Sequence, residues 1–469
     1  MSPISRGFRG RRKGAETMSA DDLALRVRAQ MPRAREDLAR LVAFKSVADP
    51  KQFPPEECER AAEYIVDAFR PLGFADVALH PTADGFSAVV GRRPGPEGAP
   101  TVLLYCHYDV QPPLDASAWH SPPWELTERN GRWYGRGAAD CKGNIAVHLA
   151  ALRALGEDIP CSVKLVAEGS EEQGTGGLDR FVPDHPELLR ADAILVCDAG
   201  NSAVGVPTLT TTMRGFTNVR VTVRTMNGAM HSGMFGGPAP DALSALIAML
   251  ATLHDAHGNT TIRGLAADQT WTGEAYPPER FRTDAGVLDG VELVGDGAVA
   301  DMLWVRPSVS VLGIDCPPVL GAANALHGQV RAVVSLRIPP GVDAERAQDA
   351  LIEHLRAAAP WKVELEFERV GCAAPFTATS SGPAVGAMHE AMRDAYGREP
   401  TTLGQGGSIP LCNTLQETFP EAEIMMLGVE EPRCMIHAPN ESVEPSEIEQ
   451  IALSEARFLQ LYAGAGGGR

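Results

Sequence analysis

No stretch of the 469-residue chain is apolar for the roughly 20 consecutive residues that a membrane-spanning helix needs. Paired CxxC spacing is also missing. The nine cysteines are scattered and odd in number, which argues against a disulfide framework and against a zinc ribbon. Positive charge is scarce: 42 Lys and Arg stand against 60 Asp and Glu, a net charge of −18. A surface of that sign disfavours nucleic acid or an anionic membrane as a partner. Internal repeats are absent. The basic stretch Phe8-Arg9-Gly10-Arg11-Arg12-Lys13 is not followed by an apolar h-region, so it does not read as a secretory signal. Residues 1–19 are expected to form a disordered basic arm, with Met18 as an alternative start. Unpaired thiols fit a cytoplasmic protein.

What is present is an ordinary globular composition, 44% hydrophobic and 22% charged, in a chain too long for one core. Helical spacing over 21–45, in which Pro32 interrupts or begins a segment, and over 56–72 precedes strand signals at 76–79, 86–91 and 101–106. Residues 111–134 read as a loop. A helix over 143–155, strands at 161–167 and 193–197, and a helical stretch near 177–190 complete an α/β alternation. That alternation predicts a mostly parallel twisted sheet flanked by helices. After about residue 206 the pattern becomes strand, helix, strand, helix, strand (215–224, 240–254, 330–338, 342–358, 362–370), with alternating faces. This predicts an inserted α+β domain with one solvated sheet face, and 257–305 reads as an irregular excursion. A helix at 383–396, a strand at 423–429 and a helix at 445–463 resume the first domain. The expected division is 20–206 plus 382–469 for the catalytic domain and 207–381 for a lid and dimerisation domain.

Several short apolar runs end in acids or imidazole. Val102–Cys106 runs into His107-Tyr108-Asp109, Val163–Ala167 into Glu168-Gly169-Ser170-Glu171-Glu172, and Ala193–Cys197 into Asp198. Ligands of open α/β sheets sit outside the carboxyl ends of the strands. Carboxylates gathered there repel one another unless a cation holds them, so the pattern points to metal. His107 and Asp109 fall on one strand face, and Asp109 is placed to accept the second ring N–H of His107. Asp140 follows a glycine-rich turn (Gly135 to Asp140) into a helix. Of the adjacent Glu171 and Glu172, a turn can aim one at a metal and the other at a water. His437 follows another apolar run. Singly, each has an ordinary explanation: a core histidine, a helix cap, a solvated acidic loop, a turn residue, an exposed histidine.

The order His, Asp, Glu-Glu, Asp, His in these contexts resembles the dinuclear zinc peptidase family of carnosinases, aminoacylases, acetylornithine deacetylase and glutamate carboxypeptidase. The resemblance implies two divalent metal ions per chain, zinc or else manganese or cobalt. His107 and Asp198 would bind one, Glu172 and His437 the other, and Asp140 both. It makes Glu171 the general base and Asp109 the residue that orients His107. It makes His231, in Met230-His231-Ser232-Gly233-Met234-Phe235-Gly236-Gly237, an oxyanion stabiliser donated across a homodimer. It assigns Arg337, with Gly407 and Ser408 of Gly406-Gly407-Ser408, to a substrate carboxylate. His231-Ser232-Gly233-Met234-Phe235 and Gly406-Gly407-Ser408-Ile409-Pro410 look most like the carnosinase and nonspecific dipeptidase branch. Two departures touch side-chain preference. Asn324-Ala325-Leu326-His327 stands where relatives carry an Asn-Val-Ile-Pro type turn, and Gln405 stands where close relatives carry Glu.

The resulting expectation is a metal-dependent dipeptidase that cleaves an amide beside a free C-terminal carboxylate, using a water shared by two metal ions. The alternatives are an N-acyl-amino-acid deacylase with the same ligands, a non-catalytic metal-binding protein, and a nuclease or phosphatase. The absence of a basic stripe argues against a nuclease. An intact Glu171 argues against a purely structural site.

Overall fold

The computed structural model describes residues 18–465. The expected basic arm, apart from Met18 and Ser19, lies outside the described residues, as do residues 466–469. The nine-stranded main sheet has four central parallel strands in the spatial order Ser162–Glu168, Thr101–His107, Ala193–Cys197 and Glu423–Leu427. Its edges are antiparallel: Ala78–Pro81 and Ser87–Arg93 on one side, Thr208–Met213 with Phe376–Thr377 on the other. The sheet is therefore mixed, with the parallel centre that the continuous apolar runs predict.

The period-two rule assigns each central side chain to one of two cores. Val102, Leu104 and Cys106 pack with the helices Ala20–Ala43, Glu56–Phe69, Lys142–Leu155, Pro383–Tyr396 and Pro445–Ala465. Leu103 and Tyr105 pack on the opposite face with Gly177–Asp184 and Pro410–Thr418. Cys106 thus points away from His107, as its strand position requires. Pro32 does not interrupt the first helix. Its ring removes one helical bond, but Leu23, Val27, Ala34, Leu38, Leu41 and Val42 keep one continuous face buried on either side of it.

Several segments differ from expectation, among them Ser308–Asp315, where no strand is expected, and Pro278–Asp284, a helix within the expected irregular excursion 257–305. Residues 111–134 are not all loop: Thr127–Arg129 and Arg132–Tyr134 form a hairpin closed by Asn130-Gly131, both at positive φ, and Ser442–Val443 adds a third strand. Thr401–Gln405, with no strand expected, pairs parallel to Thr208–Met213. Thr208–Met213 itself belongs to the main sheet, so the chain leaves that sheet after Met213 rather than at residue 206 and returns to it at Phe376. Between those points lies a four-stranded antiparallel sheet, in the order Ser308–Asp315, Gln329–Ile338, Gly215–Arg224, Glu364–Ala373. Helices Ala242–Ala251 and Ala344–Ala357 cover one of its faces. Among the described residues no helix is long and apolar enough to cross a membrane.

Candidate dinuclear metal centre

The parallel strands carry their carboxyl ends to one edge, where His107 stands level with Glu168 in register and Cys197 level with Leu427. The turns that follow supply the rest of the cluster. His107 is fully buried; its Nε2 lies 2.9 Å from Asp140 Oδ1 and 3.1 Å from Asp198 Oδ1. His437 Nε2 lies 2.9 Å from Asp140 Oδ2 and 3.1 Å from Glu172 Oε2. Asp140 therefore gives one oxygen to each histidine–carboxylate pair. The five residues expected from the sequence to converge do so.

Asp140 is not a helix cap. The following helix starts at Lys142 without a side-chain cap bond, and the Asp140 carboxylate faces the two imidazoles. The residue that holds it there, Glu441, has no sequence signal. Its carboxylate accepts from the N–H groups of Gly137 (2.9 Å), Ala139 (3.0 Å) and Asp140 (3.1 Å) and from Arg136 Nη1 (2.7 Å). Gly137 turns at φ +81, where Lys142 and Val110 would also crowd a side chain. Both Arg136 and Glu441 are 1% exposed, so this is a fully buried ion pair on which the loop is wound. Glu441→Ala is expected to lower stability by about 3–5 kcal/mol in denaturant unfolding, because Arg136 and three backbone N–H groups lose their acceptor. It should also weaken metal binding by loosening Asp140.

Asp109 lies against His107, as expected, and has a second set of contacts besides. The Nδ1 of His107 is nearer to the Asp109 backbone carbonyl (3.1 Å) than to its carboxylate (3.4 Å). The carboxylate also accepts the backbone N–H of Glu171 (3.1 Å) and of Glu172 (3.0 Å). It fixes the one-turn 3-10 helix Glu171–Gln173 that resolves the adjacent acids into two directions. Glu172 turns to His437 and also accepts from Gln111. The Glu171 carboxylate has no hydrogen-bond or ion-pair partner among the described residues.

The acids and imidazoles of the cluster shift one another's pKa values strongly. Burial, and then the charge of Asp140, push the Glu172 carboxyl up to about 7. Burial, and then Asp198, push Glu171 well above the carboxylate range. Burial also acts to raise Asp140, but hydrogen bonds from His107 and His437 outweigh it and pull that carboxyl down. Hydrogen bonds to Asp140 and Glu172 raise the His437 imidazole to about 11. The donor set fits divalent metal ions: two imidazoles and three carboxylates, with neighbouring donor atoms at 2.9–3.1 Å. Ligands about 2.0–2.2 Å from a tetrahedral zinc stand roughly 3.3–3.6 Å apart, so the donors would need to spread by only a few tenths of an ångström.

One acid was missed. Glu430, three residues beyond the strand Glu423–Leu427, places a carboxylate oxygen within 4.8 Å of Asp140 and Asp198 oxygens. The main chain there is drawn against Gly200, where any Cβ would lie 1.9 Å from the Glu430 carbonyl oxygen. Glu430 lines a cavity of about 570 Å3 together with Gly406, Tyr276 and Trp304. Gly407 and Ser408 follow Gly406 in the turn before helix Pro410–Thr418. Arg337 is half-buried on Gln329–Ile338, its guanidinium 5.8 Å over the Phe216 ring, without an ion pair among the described residues. His231 is not brought to the cluster within the chain. It is exposed at the end of the short strand Met230–His231, and among the described residues its ring accepts only from the N–H of Gly233 (3.1 Å).

Residues 103–461 match the model of peptidase family M20/M25/M40. The chain is 45% identical over 410 residues to a cysteinylglycine-S-conjugate dipeptidase of Corynebacterium striatum, covering 86% of this chain and 90% of that protein. It is 27% identical to a beta-Ala-His dipeptidase of Rattus norvegicus, covering 92% and 89%. In fold it superposes on the dipeptidase Dug1p of Saccharomyces cerevisiae with a TM-score of 0.79 at 22% identity, covering 96% of this chain and 99% of that one. It superposes equally on human carnosine dipeptidase 1, with a TM-score of 0.79 at 23% identity and coverage of 94% and 98%. The chain belongs to peptidase family M20/M25/M40.

Proposed function

We infer that the protein is a metal-dependent dipeptidase that hydrolyses an amide next to a free C-terminal carboxylate. The observation that carries this reading is the shared Asp140, with one histidine and one carboxylate on each of its oxygens and an unpartnered Glu171 beside them. In this reading His107 and Asp198 hold one divalent ion, Glu172 and His437 the other, and zinc is the proposed metal. Bound there, two such ions would supply Lewis acidity to the scissile carbonyl and make water acidic enough to attack near neutral pH.

The chain's own residues do the remaining work. Glu171 removes a proton from the attacking water and returns it to the leaving amine. Asp109 keeps the Glu171 and Glu172 main chain in place, so that base and ligand diverge. Arg337 and the Gly407–Ser408 turn receive the terminal carboxylate. His231 stabilises the oxyanion in the site of a partner subunit of a homodimer. Exposed Met234 and Phe235 next to His231, and exposed Val311, Leu312 and Ile314 on the edge strand Ser308–Asp315, support such an interface. Nine free cysteines, seven of them buried, accord with the cytoplasm.

The 45% identity to a cysteinylglycine-S-conjugate dipeptidase, and a cavity wall that includes Tyr276, Phe281 and Trp304, favour cysteinylglycine peptides with an apolar thioether. The test is a panel of cysteinylglycine, S-benzyl-cysteinylglycine, β-alanyl-histidine and N-acetyl amino acids, with zinc or manganese supplied. Cleavage of the dipeptides, fastest for the S-benzyl compound, is expected. Preferential release of acetate would instead assign the chain to the deacylases, and inertness with metal bound would refute catalysis.

A further inference from the structure

A second cavity, of about 520 Å3, adjoins the one that Glu430 lines. Apart from Arg214, its wall comes wholly from residues 254–310, which span the excursion of the second domain. Phe281, Ala285 and Leu303 line both cavities, so they form the partition between them. The first cavity reaches the metal cluster: Ala199 and Gly200, which follow Asp198, line it, and so do Ile436 and Ala438, which flank His437. None of those four lines the second. The two spaces therefore run in series, from the metal ligands past three apolar side chains into the excursion.

Val287, Val291, Val294, Val299, Met302 and Val309 give the second cavity its carbon surface. Three of its polar side chains are already engaged within the chain. His254 Nε2 lies 3.2 Å from the Val309 carbonyl. Asn259 Nδ2 donates to Asp255 (3.0 Å) and Asp296 (2.8 Å), and Arg306 donates to the Gln269 carbonyl (2.8 Å) and to Asp301 (3.4 Å). Such a wall favours an apolar guest. The partition itself carries no polar anchor. Tyr276 Oη donates to Asp284 (2.8 Å), and Arg280 donates to Asp284 (3.3 Å) and to the Ser202 carbonyl, which ties the helix Pro278–Asp284 to groups of the first cavity. The Phe281 ring only meets Tyr276 edge-on, at 5.4 Å between centroids. Phe281 and Leu303 are both half-buried. An apolar chain can pass such side chains without breaking a hydrogen bond.

We propose that the second cavity receives the far end of a long apolar thioether substituent, that Phe281 is the side chain it must pass, and that the protein thereby selects cysteinylglycine conjugates whose substituent outgrows the first cavity. The inference rests on the dipeptidase reading and adds to it the size of substituent the site takes. It also gives the excursion a purpose: its residues build a receptacle that the metal cluster itself does not need.

The test measures kcat/KM for S-methyl-, S-butyl- and S-decyl-cysteinylglycine with metal-loaded wild type, Val291→Trp and Phe281→Ala. Each buried methylene is worth at most about 4-fold, so in wild type the S-decyl compound should exceed the S-butyl compound by at least about 10-fold. Val291 is exposed and lines only the second cavity. Val291→Trp should fill that cavity, leave the S-methyl and S-butyl values unchanged and lower the S-decyl value about 10-fold. Val294→Trp, also exposed on the same wall, carries the test if Val291→Trp does not fold. Phe281→Ala, which opens the partition, should raise the S-decyl to S-butyl ratio; a ratio at or below the wild-type value would overturn the place given to Phe281. Wild-type values that do not rise beyond S-butyl, or a ratio that the tryptophan leaves unchanged, would overturn the inference alone. A metal-loaded wild type inert toward all three compounds would overturn the dipeptidase reading and the inference with it.

Discussion

Replacing Glu171 by glutamine is expected to lower kcat by roughly 10²–10⁴-fold, the range general-base loss produces, while the bound metal stays at its wild-type amount. Glutamine keeps the shape and the backbone N–H that Asp109 accepts, so the 3-10 turn and the Glu172 ligand beside it should be undisturbed. What it lacks is a group able to take a proton. The carboxylate of Glu171 is the one acid of its turn with no ligand or hydrogen-bonding duty among the described residues. Burial and the charge of Asp198 raise its pKa in the chain alone, and nearby divalent cations would reverse that trend. Glu172→Gln provides the contrast: it removes a contact of His437 and should reduce metal content along with rate. Metal analysis beside steady-state kinetics separates the two. If Glu171→Gln retains turnover, another group is the base; if it loses metal, Glu171 is a ligand.

That separation of adjacent acids shows how much the sequence could reveal. The strand ends were legible because an apolar run that stops at an acid or imidazole is a local pattern, and a parallel sheet places all such ends on one edge. Applied to the run 423–429, the same rule marks Glu430. The role of Asp109 was half legible. Its spacing from His107 put the two residues together, but which group the carboxylate would meet depended on the turn at 171–173, more than 60 residues away. Glu441 was illegible: it acts on N–H groups some 300 residues earlier, through a buried ion pair with Arg136 that no periodicity announces.

The boundaries between sheets failed for a related reason. Thr208–Met213 and Gly215–Arg224 are successive strands in the chain, and their alternation reads as one β-rich segment. Only pairing shows that the first joins Thr401–Gln405 in the main sheet and the second joins Gln329–Ile338 in the other. Arg214 occupies the single residue between them.

Asp140→Asn should have the largest effect on metal. His437→Ala removes a contact from one half of the cluster, whereas Asp140 faces both halves, one oxygen to each histidine. An amide offers one weak oxygen donor and one N–H₂ group that repels a cation, so one half loses its ligand outright and the other loses a charge. The expected fall in metal affinity exceeds the roughly 10–100-fold that follows loss of an outer-shell partner, and dialysed protein should retain less than one metal per chain. Dipeptide hydrolysis should drop to background and recover little on adding metal. Fold should survive, because the Asp140 N–H remains held by Glu441 and the side chain caps no helix; an unchanged circular dichroism spectrum checks this. Retention of two metals per chain by Asp140→Asn would mean that the ions sit elsewhere, and would remove the basis for assigning His107, Glu172, Asp198 and His437 to them.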